Sequence, residues 1–343
     1  MVEIVTDYDL KNLNTFGISA KAKFFAVLEN EADIAELFES MEFKNNEKLF
    51  LGGGSNMLFT KDFDGIVILN KLKGIEILNE DNNTVSVKFM GGEVWNDAVD
   101  FAVDRNYWGI ENLALVPGSV GATPVQNIGA YGSEIKDTLE NVEAYEIESG
   151  NKKVFLNKEC EFGYRNSIFK NELKGKYFIS AVILKLNKNF FPNISYKVLK
   201  DYIEENKIEI KNSKDVANAV ANIRRSKLPD PKELGNAGSF FKNTFINQEQ
   251  LEKLLVLYPE MPNFSEQNEK GENVIKIPSA WLIEQCGFKG LKEGNVGSHT
   301  KQALVIVNYG GATGGEVKDF VYKIIKTVKD KFDINLEPEV NVI

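Results

Sequence analysis

Two uncharged, glycine-rich stretches are the parts of this chain whose residue types best suit chemistry. The longer one, residues 115–132, reads LVPGSVGATPVQNIGAYG. Glycine permits positive φ and a close approach of backbone to a ligand, and proline favours turns, so this stretch is predicted to expose backbone amides. Its uncharged polar side chains suit a partly polar ring system or a pyrophosphate better than a metal. A long structural loop is the alternative, although such loops are uncommon and often functional.

The shorter stretch, residues 52–56, reads GGGSN and directly follows a predicted strand at residues 48–51. Successive glycines after a strand can form a nest of amides that binds an anion. An ordinary glycine-rich turn is the commoner explanation when this stretch is considered alone. The second glycine-rich stretch about sixty residues later makes a shared ligand the more attractive interpretation.

Most other catalytic chemistries lack their residues. The chain has one histidine, His299, and two cysteines, Cys160 and Cys286, that form no CxxC pair. Zinc sites, disulfide scaffolds and Ser/His/Asp hydrolysis are therefore poorly supported. Neither GxGxxG after a strand nor GxxxxGK[ST] occurs, and no carboxylate pair suggests glycoside chemistry. This pattern fits a protein that takes its chemistry from an organic cofactor.

Composition limits the class of partner. The 343 residues include 50 acidic and 41 basic ones, a net charge of -9, and no long basic block, so nucleic acid is not an expected partner. No apolar run reaches the length that spans a bilayer, and the N-terminus mixes charges. We expect a soluble, cytoplasmic protein of two to three domains.

The elements that must position these residues are both helices and strands. Asn30 is predicted to cap a helix whose apolar face includes Met41, and Ser213 is predicted to cap another. The second helix is predicted to end at residues 224–231, RRSKLPDP, whose two prolines and cluster of charge mark the best domain boundary in the chain. Asn247 and Thr313 are predicted to begin further helices with capping boxes. Residues 334–343 are predicted to form a C-terminal strand.

Several polar residues stay ambiguous when only their surroundings are considered. Arg165 reads as a surface arginine, Lys227 as a linker charge or a ligand contact, and His299 as a structural histidine. Glu337 and Glu339 read as solvated charges of an edge strand.

Eight motifs in a fixed order resolve part of this ambiguity, because together they resemble the UDP-N-acetylenolpyruvoylglucosamine reductase family along the whole chain. The motifs are Asn14-Thr-Phe-Gly17, Leu51-Gly-Gly-Gly-Ser-Asn56, Val116-Pro-Gly-Ser-Val-Gly121 with Gln126-Asn-Ile-Gly-Ala-Tyr-Gly132, Gly163-Tyr-Arg165, Lys227-Leu-Pro-Asp-Pro231, Gly235-Asn-Ala-Gly-Ser-Phe-Phe-Lys-Asn243, Gln302-Ala-Leu and Glu337-Pro-Glu-Val340.

The resemblance implies an α+β protein with a two-subdomain FAD-binding domain of the vanillyl-alcohol-oxidase type and a smaller α+β substrate-binding domain. It places the first FAD-binding subdomain at residues 1–70, to which the strand 336–343 is expected to return, the second at 71–226, and the substrate-binding domain at 232–335. It implies a reaction in which FAD takes hydride from NADPH and passes it to the enolpyruvyl group of a UDP sugar, for peptidoglycan precursor synthesis. We expect a monomer.

The family's functional residues map onto positions of this chain. The resemblance implies that Arg165 and Glu339 stabilise the charge that develops on the enolpyruvyl group and that Ser239 donates a proton to its C2. It implies substrate contacts at Tyr164, Tyr196, Lys227, Asn243 and Gln302, where Tyr196 marks the longer of two family types. It implies FAD contacts at Gly52, Gly53, Gly54, Ser55, Asn56, Pro117, Gly118, Ser119, Gly121, Ala122, Gln126, Asn127, Gly129, Ala130 and Tyr131, and no metal.

Two residues depart from the family pattern, and the assignment of one carboxylate stays open. Asn341 stands where the family often has arginine, and Thr244 where proline commonly follows Lys-Asn. Alternation along a strand would point Glu337 and Glu339 to the same face, so the choice of Glu339 leaves Glu337 open. A flavin oxidase of the same fold and a non-catalytic flavin- or nucleotide-sugar-binding protein are the competing functions.

Overall fold

A computed structural model describes residues 2–267 and 271–343. The chain divides into two compact units. The first comprises residues 1–8, 22–54 and 63–226, and the second comprises residues 9–21, 55–62 and 227–343. The second unit is therefore assembled from two short early segments and the C-terminal third of the chain.

The first unit contains a βαβ sheet near its N-terminus. Phe63–Asn70 pairs in parallel with both Lys21–Leu28 and Glu47–Leu51, and Ile4–Asp9 lies at the edge beside Lys21–Leu28. Phe63–Asn70 is buried along nearly its whole length, as expected for a strand covered on both faces. The helices Glu31–Glu39 and Met41–Asn45 supply the crossover that parallel strands require.

A second, antiparallel sheet follows in the same unit. Its order is Lys152–Leu156, Leu139–Glu146, Tyr177–Asn187, Thr84–Met90 and Ile75–Glu80. The central strand Tyr177–Asn187 is almost entirely buried, and the helices Trp95–Asp104, Lys197–Glu205 and Ser213–Lys227 contribute their apolar residues to the same core. A short hairpin, Gly129–Ala130 with Ser133–Glu134, lies within the second glycine-rich region.

The described residues of the second unit form two antiparallel sheets, one parallel strand pair and three helices. One sheet has the order Gly235–Ser239, Val305–Asn308, Val296–Ser298 and Lys292–Glu293, and the other Thr244–Ile246, Asn273–Ile277 and Phe264–Gln267. The helices are Gln248–Leu257, Ser279–Gln285 and Gly314–Phe332. Asn341–Val342 pairs in parallel with Met57–Leu58, which accounts for the early segment in this unit.

Three local predictions are confirmed by the helix ends. Asn30, Asn247 and Thr313 each form a capping box with the residue three positions later. These boxes depend on side chains only three residues apart, so the sequence suffices to predict them.

Other local predictions are wrong. The first helix ends at Glu39, and Met41 is 66% exposed at the start of a separate short helix capped by Ser40. Ser213 is already a helical residue, and the side chain of Asn212 accepts the hydrogen bond from the Asp215 amide at 3.1 Å. Of residues 334–343, only Asn341–Val342 is a strand, because the preceding prolyl segment makes an isolated bridge at Pro338.

No helix in residues 2–267 and 271–343 is long and apolar enough to cross a membrane.

Candidate active site

The two glycine-rich stretches predicted to share a ligand meet in the first unit. A Cβ added to Gly52 would lie 2.0 Å from Ser119 Oγ, and one added to Gly53 would lie 3.1 Å from the Gly118 Cα. Gly54 and Gly118 adopt φ of +60° and +124°, which favour glycine. The Gly53 backbone therefore packs against the Gly118 backbone, and the Ser119 side chain packs against Gly52, so the amides of both stretches can line one ligand.

This cradle fits the pyrophosphate of FAD. A pyrophosphate needs several donors at close range, and backbone amides supply them without the bulk of side chains. Gly121 extends the close-packed region, since a Cβ there would lie 3.1 Å from the carbonyl oxygens of Gly91 and Ile179. Ser55 and Asn56, the end of the shorter stretch, belong to the second unit.

The segment 126–131 is held in a strained, internally bonded conformation. Asn127 and Tyr131 have φ of +48° and +47°, in the left-handed region that costs free energy for residues other than glycine. The side chain of Asn127 is fully buried, donates to Glu134 Oε2 at 2.9 Å and to the Gly163 carbonyl at 3.0 Å, and accepts from the Lys136 amide. The Asn127 side chain therefore fixes the shape of the segment through contacts within the protein.

Arg165 reaches this segment from a tight turn. Mutual backbone hydrogen bonds between Gly163 and Asn166 close the turn, and Arg165 has φ of +53° at its tip. Its Nη2 donates to the Gly129 carbonyl oxygen at 2.7 Å, and its guanidinium lies 5.5 Å from the Tyr164 ring centroid. The structure therefore brings Tyr164 and Arg165 to the loop that the sequence assigns to the flavin.

Tyr196 joins the same group. Its ring meets that of Tyr131 edge to face, with centroids 5.7 Å apart, and its side chain is 46% exposed. Burial raises the pKa of the Tyr131 hydroxyl, and the nearby charge of Arg224 opposes that rise.

Arg224 is a candidate residue that the sequence reasoning missed. Its Nε is enclosed and has no hydrogen-bond partner among residues 2–267 and 271–343. Burial lowers the pKa of its guanidinium, the Tyr131 hydroxyl raises it, and the charge of Arg165 lowers it. Arginine nevertheless stays charged in proteins, so the two guanidiniums favour an anion nearby. The sequence signal that could have identified Arg224 is its spacing. It lies four residues after Val220, a buried residue on the apolar face of the same helix.

Ser239 and Glu339 are brought together in the second unit. Ser239 ends the strand Gly235–Ser239, and the buried rings of Phe240 and Phe241 anchor the chain after it. The Glu339 amide donates to the Phe240 carbonyl at 2.7 Å, and Phe241 forms a bridge with Pro338. The two backbones therefore run side by side at the predicted proton donor and the predicted carboxylate.

The alternative carboxylate, Glu337, is engaged elsewhere. Its Oε2 lies 3.1 Å from Lys242 Nζ, and its side chain is 74% exposed. Glu339 is half-buried, and its carbonyl oxygen accepts from Asn56 Nδ2 at 3.2 Å. The carbonyl of Asn56 in turn accepts from the amide and the side chain of Asn341, which gives this departure from the family pattern a structural role.

Three other residues of this unit are predicted to contact the substrate. Gln302 lies in the turn before the strand that pairs with Ser239, and its Oε1 accepts from the Leu304 amide at 3.4 Å. Asn243 Oδ1 accepts from the Ser279 amide at 3.3 Å at the start of a short helix. Lys227 is the exposed last residue of its helix.

Two other residues have structural surroundings. Thr244, the second departure, begins a strand, and its hydroxyl lies 3.3 Å from that of Ser279. His299 Nδ1 lies 3.4 Å from the Lys301 amide that donates to it, and burial together with the charge of Lys301 lowers the pKa of the imidazole.

Comparison with known proteins places this arrangement in a family. Residues 22–152 match the model of an FAD-binding domain, and residues 230–343 match the C-terminal domain of UDP-N-acetylenolpyruvoylglucosamine reductase. The enzyme of that name from Flavobacterium johnsoniae is 50% identical over 343 residues, which is 100% of both chains. The one from Amoebophilus asiaticus is 44% identical over 342 residues, again 100% of both chains.

A solved structure supports the fold. The crystal structure of UDP-N-acetylenolpyruvylglucosamine reductase from Thermus caldophilus aligns with a TM-score of 0.64 at 22% identity, covering 100% of this chain and 98% of that one. The predicted fold class, an FAD-binding domain followed by a smaller α+β domain, is confirmed. Because the matches extend over the full length at 40–50% identity, this chain belongs to the UDP-N-acetylenolpyruvoylglucosamine reductase family.

Proposed function

We propose that this chain is an FAD-containing, NADPH-dependent reductase that converts UDP-N-acetylglucosamine enolpyruvate to UDP-N-acetylmuramate in peptidoglycan precursor synthesis. FAD, when bound, supplies the transfer of hydride from NADPH to the enolpyruvyl group. The observation that supports the proposal is the hydrogen bond from the Glu339 backbone amide to the Phe240 carbonyl oxygen, because it brings the backbone of the predicted carboxylate residue next to the residue that follows Ser239.

In this proposal the first unit binds the cofactor. The close-packed backbones at residues 52–54 and 117–122 surround the pyrophosphate, and residues 126–131 line the flavin ring. The strained, internally bonded conformation of Asn127 and Tyr131 fixes that segment before the cofactor arrives, so little ordering free energy is lost on binding.

Arg165 is proposed to stabilise the negative charge that develops on the substrate. A planar guanidinium can hold a carboxylate by two hydrogen bonds, and here the hydrogen bond to Gly129 and the turn at 163–166 restrict its orientation. We assign Arg224 a supporting role, since its enclosed positive charge adds to the attraction for an anionic group.

Ser239 is proposed to give a proton to C2 of the substrate, with Glu339 polarising the same group. A hydroxyl is a weak acid, but the carbanion-like product of hydride addition is a strong base, and a fixed position supplies much of the advantage. The strand pairing and the buried Phe240 and Phe241 provide that fixed position. Tyr164, Tyr196, Lys227, Asn243 and Gln302 are proposed to contact the UDP sugar.

We also propose a role for each domain, a cellular location and an oligomeric state. Residues 1–70 and 71–226 act as the two FAD-binding subdomains and residues 232–335 as the substrate-binding domain, with the C-terminal segment 336–343 returning to the early segment that contains Met57–Leu58. We propose a cytoplasmic monomer that acts on a small-molecule UDP sugar.

The test follows the flavin absorbance of the purified protein under anaerobic conditions. NADPH should bleach the absorbance, and the UDP enolpyruvyl sugar should restore it with formation of one product molecule per flavin. Absence of bleaching by NADPH would overturn the proposal. Rapid oxygen-dependent turnover of an alcohol without NADPH would instead identify a flavin oxidase of the same fold.

A further inference from the structure

A surface segment of the first unit, residues 188–196, is fastened at three points. Its Phe190 ring packs edge to face on the buried Trp108, with centroids 5.1 Å apart. At the other end the Tyr196 ring meets Tyr131. Asn193 lies between these contacts and is hydrogen-bonded to the segment that follows Tyr131. The segment is therefore attached to the loop that carries Tyr131 by polar contacts as well as by rings.

The first polar contact is made by the side chain of Asn112. This side chain is fully buried, and its Nδ2 donates to the carbonyl oxygens of both Tyr131 and Asn193, each at 2.8 Å. A carbonyl oxygen only accepts, so the two bonds fix the orientation of the Asn112 amide. One buried amide thus joins the backbones of two loops that are about sixty residues apart in the chain.

The second polar contact comes from Asn193 itself. Its Nδ2 donates to the Gly132 carbonyl and to the Ser133 hydroxyl, both at 3.0 Å. Gly132 has φ of +84°, and a Cβ there would lie 3.4 Å from the Tyr196 Cβ. The two loops therefore pass close to each other at a position that has no side chain of its own.

We propose that Asn112 and Asn193 are positioning residues that fasten residues 188–196 to residues 126–133 and so hold Tyr196 in place for the UDP moiety. The identity of that ligand rests on the proposed function, whereas the fastening itself does not. Because the hydrogen bonds order the segment in advance, UDP does not have to supply that ordering free energy when it binds.

Two variants and one matched control test this role in the FAD-loaded protein. Asn193→Ala removes the side-chain nitrogen that donates hydrogen bonds to Gly132 and Ser133. Asn112→Asp keeps the shape of the side chain but replaces the donor with an acceptor that faces two carbonyl oxygens. Asn189→Ala is the control, since Asn189 is an exposed residue of the same segment whose side chain donates to Asn83 Oδ1 at 2.9 Å.

Amide hydrogen exchange measures the fastening without any substrate. The amides of residues 199–200 report on the end of the segment, because both donate to the Tyr196 carbonyl oxygen. We expect them to exchange about tenfold faster in Asn193→Ala than in the wild type, and faster still in Asn112→Asp, because hydrogen bonds that hold the segment are lost. Asn189→Ala should leave them unchanged. Unchanged exchange of these two amides in Asn193→Ala overturns the proposal, and this variant decides the matter even if Asn112→Asp does not fold.

The dissociation constant of UDP, followed by calorimetry, measures the consequence for the ligand. It should rise about three- to tenfold in Asn193→Ala, while FAD content and the rate of flavin bleaching by NADPH stay at the wild-type values. If UDP affinity, FAD content and the rate of flavin bleaching all fell to the same extent, the role of Asn193 would be merely structural and the proposal would be overturned. Failure of the proposed function would appear separately, as absence of UDP binding or of NADPH bleaching in the wild type.

Discussion

The amide of Glu339 donates a hydrogen bond of 2.7 Å to the carbonyl oxygen of Phe240, the residue that follows Ser239. This bond joins two stretches about one hundred residues apart in the chain. It places the backbone of half-buried Glu339 beside the end of the strand that carries Ser239, and the proposed charge stabilisation and proton donation both start from this arrangement.

Ser239→Ala should separate the two halves of the reaction. The variant lacks only the hydroxyl, so we expect NADPH to bleach the flavin at the wild-type rate and product formation to slow by about 10²- to 10⁴-fold. Rapid mixing resolves the two steps. Ser265→Ala, at an exposed strand position of the same unit, is the control and should change neither. Wild-type product formation in Ser239→Ala would remove this hydroxyl from the mechanism.

A pair of isosteric variants should distinguish the two C-terminal carboxylates. Glu339→Gln is expected to slow product formation by at least tenfold, because the neutral amide polarises the substrate less. Glu337→Gln removes an exposed ion pair with Lys242, which is worth at most about 1 kcal/mol in stability, and turnover should stay near the wild-type value. The reverse pattern in steady-state turnover would assign the role to Glu337.

The sequence alone predicts those structural features that depend only on residues close together in the chain. The conformational freedom of Gly54 and Gly118 and the capping box at Thr313 are local properties, and both loops and helix ends occur as expected. The choice between Glu337 and Glu339 was not local. Alternation along a strand treats them alike, and only pairing with distant residues 240–242 separates them.

Residues whose roles depend on tertiary contacts could not be predicted. Asn112 carries no motif, and its importance arises from two carbonyl groups that lie 19 and 81 residues away in the chain. Arg224 was interpreted as part of a charged boundary, although its helical spacing from Val220 places it on the buried face. Ser213 was a reasonable cap by residue type, but Asn212, one position earlier, provides the hydrogen bond.

Gly129→Ala should displace the guanidinium of Arg165. Gly129 lies outside the left-handed region, so alanine is compatible with its backbone, but the added Cβ would lie 2.9 Å from Arg165 Nη1. We expect product formation to fall at least tenfold, together with a loss of about 1–3 kcal/mol in unfolding free energy from overpacking against Arg165 and Glu134. Steady-state turnover and chemical denaturation measure the two effects.

The control for this variant is Gly315→Ala, in the helix Gly314–Phe332. Its added Cβ would meet Thr313 Oγ1 at an ordinary contact distance of 3.8 Å. Alanine there should leave turnover unchanged. Turnover of Gly129→Ala at the wild-type level would mean that the observed position of the Arg165 guanidinium is not needed for the reaction.

An ionic cluster joins the helix Glu31–Glu39 to the second sheet of the first unit. Lys152 Nζ lies 3.0 Å from Glu31 and 2.9 Å from Glu143, and the Tyr145 hydroxyl donates to Glu31 at 3.0 Å. Burial acts to raise the pKa of Glu31, but the hydrogen bonds and charges of its partners outweigh it, so the pKa lies below the ordinary value of 4.5. Partial burial acts to lower the pKa of Lys152, but its two carboxylate partners raise it above 10.5.

Glu31→Gln should reduce stability in a pH-dependent way. A carboxyl whose pKa is lowered by folding stabilises the protein above its unfolded pKa, and this contribution disappears as pH falls through the folded pKa. The variant should therefore be less stable than the wild type by about 0.5–1 kcal/mol at pH 7, since the group is partly exposed, and the difference should vanish toward pH 3. Urea denaturation across this range measures it. Glu29→Gln, an exposed neighbour, is the control. A difference that is constant with pH would contradict the assigned role of the Glu31 charge.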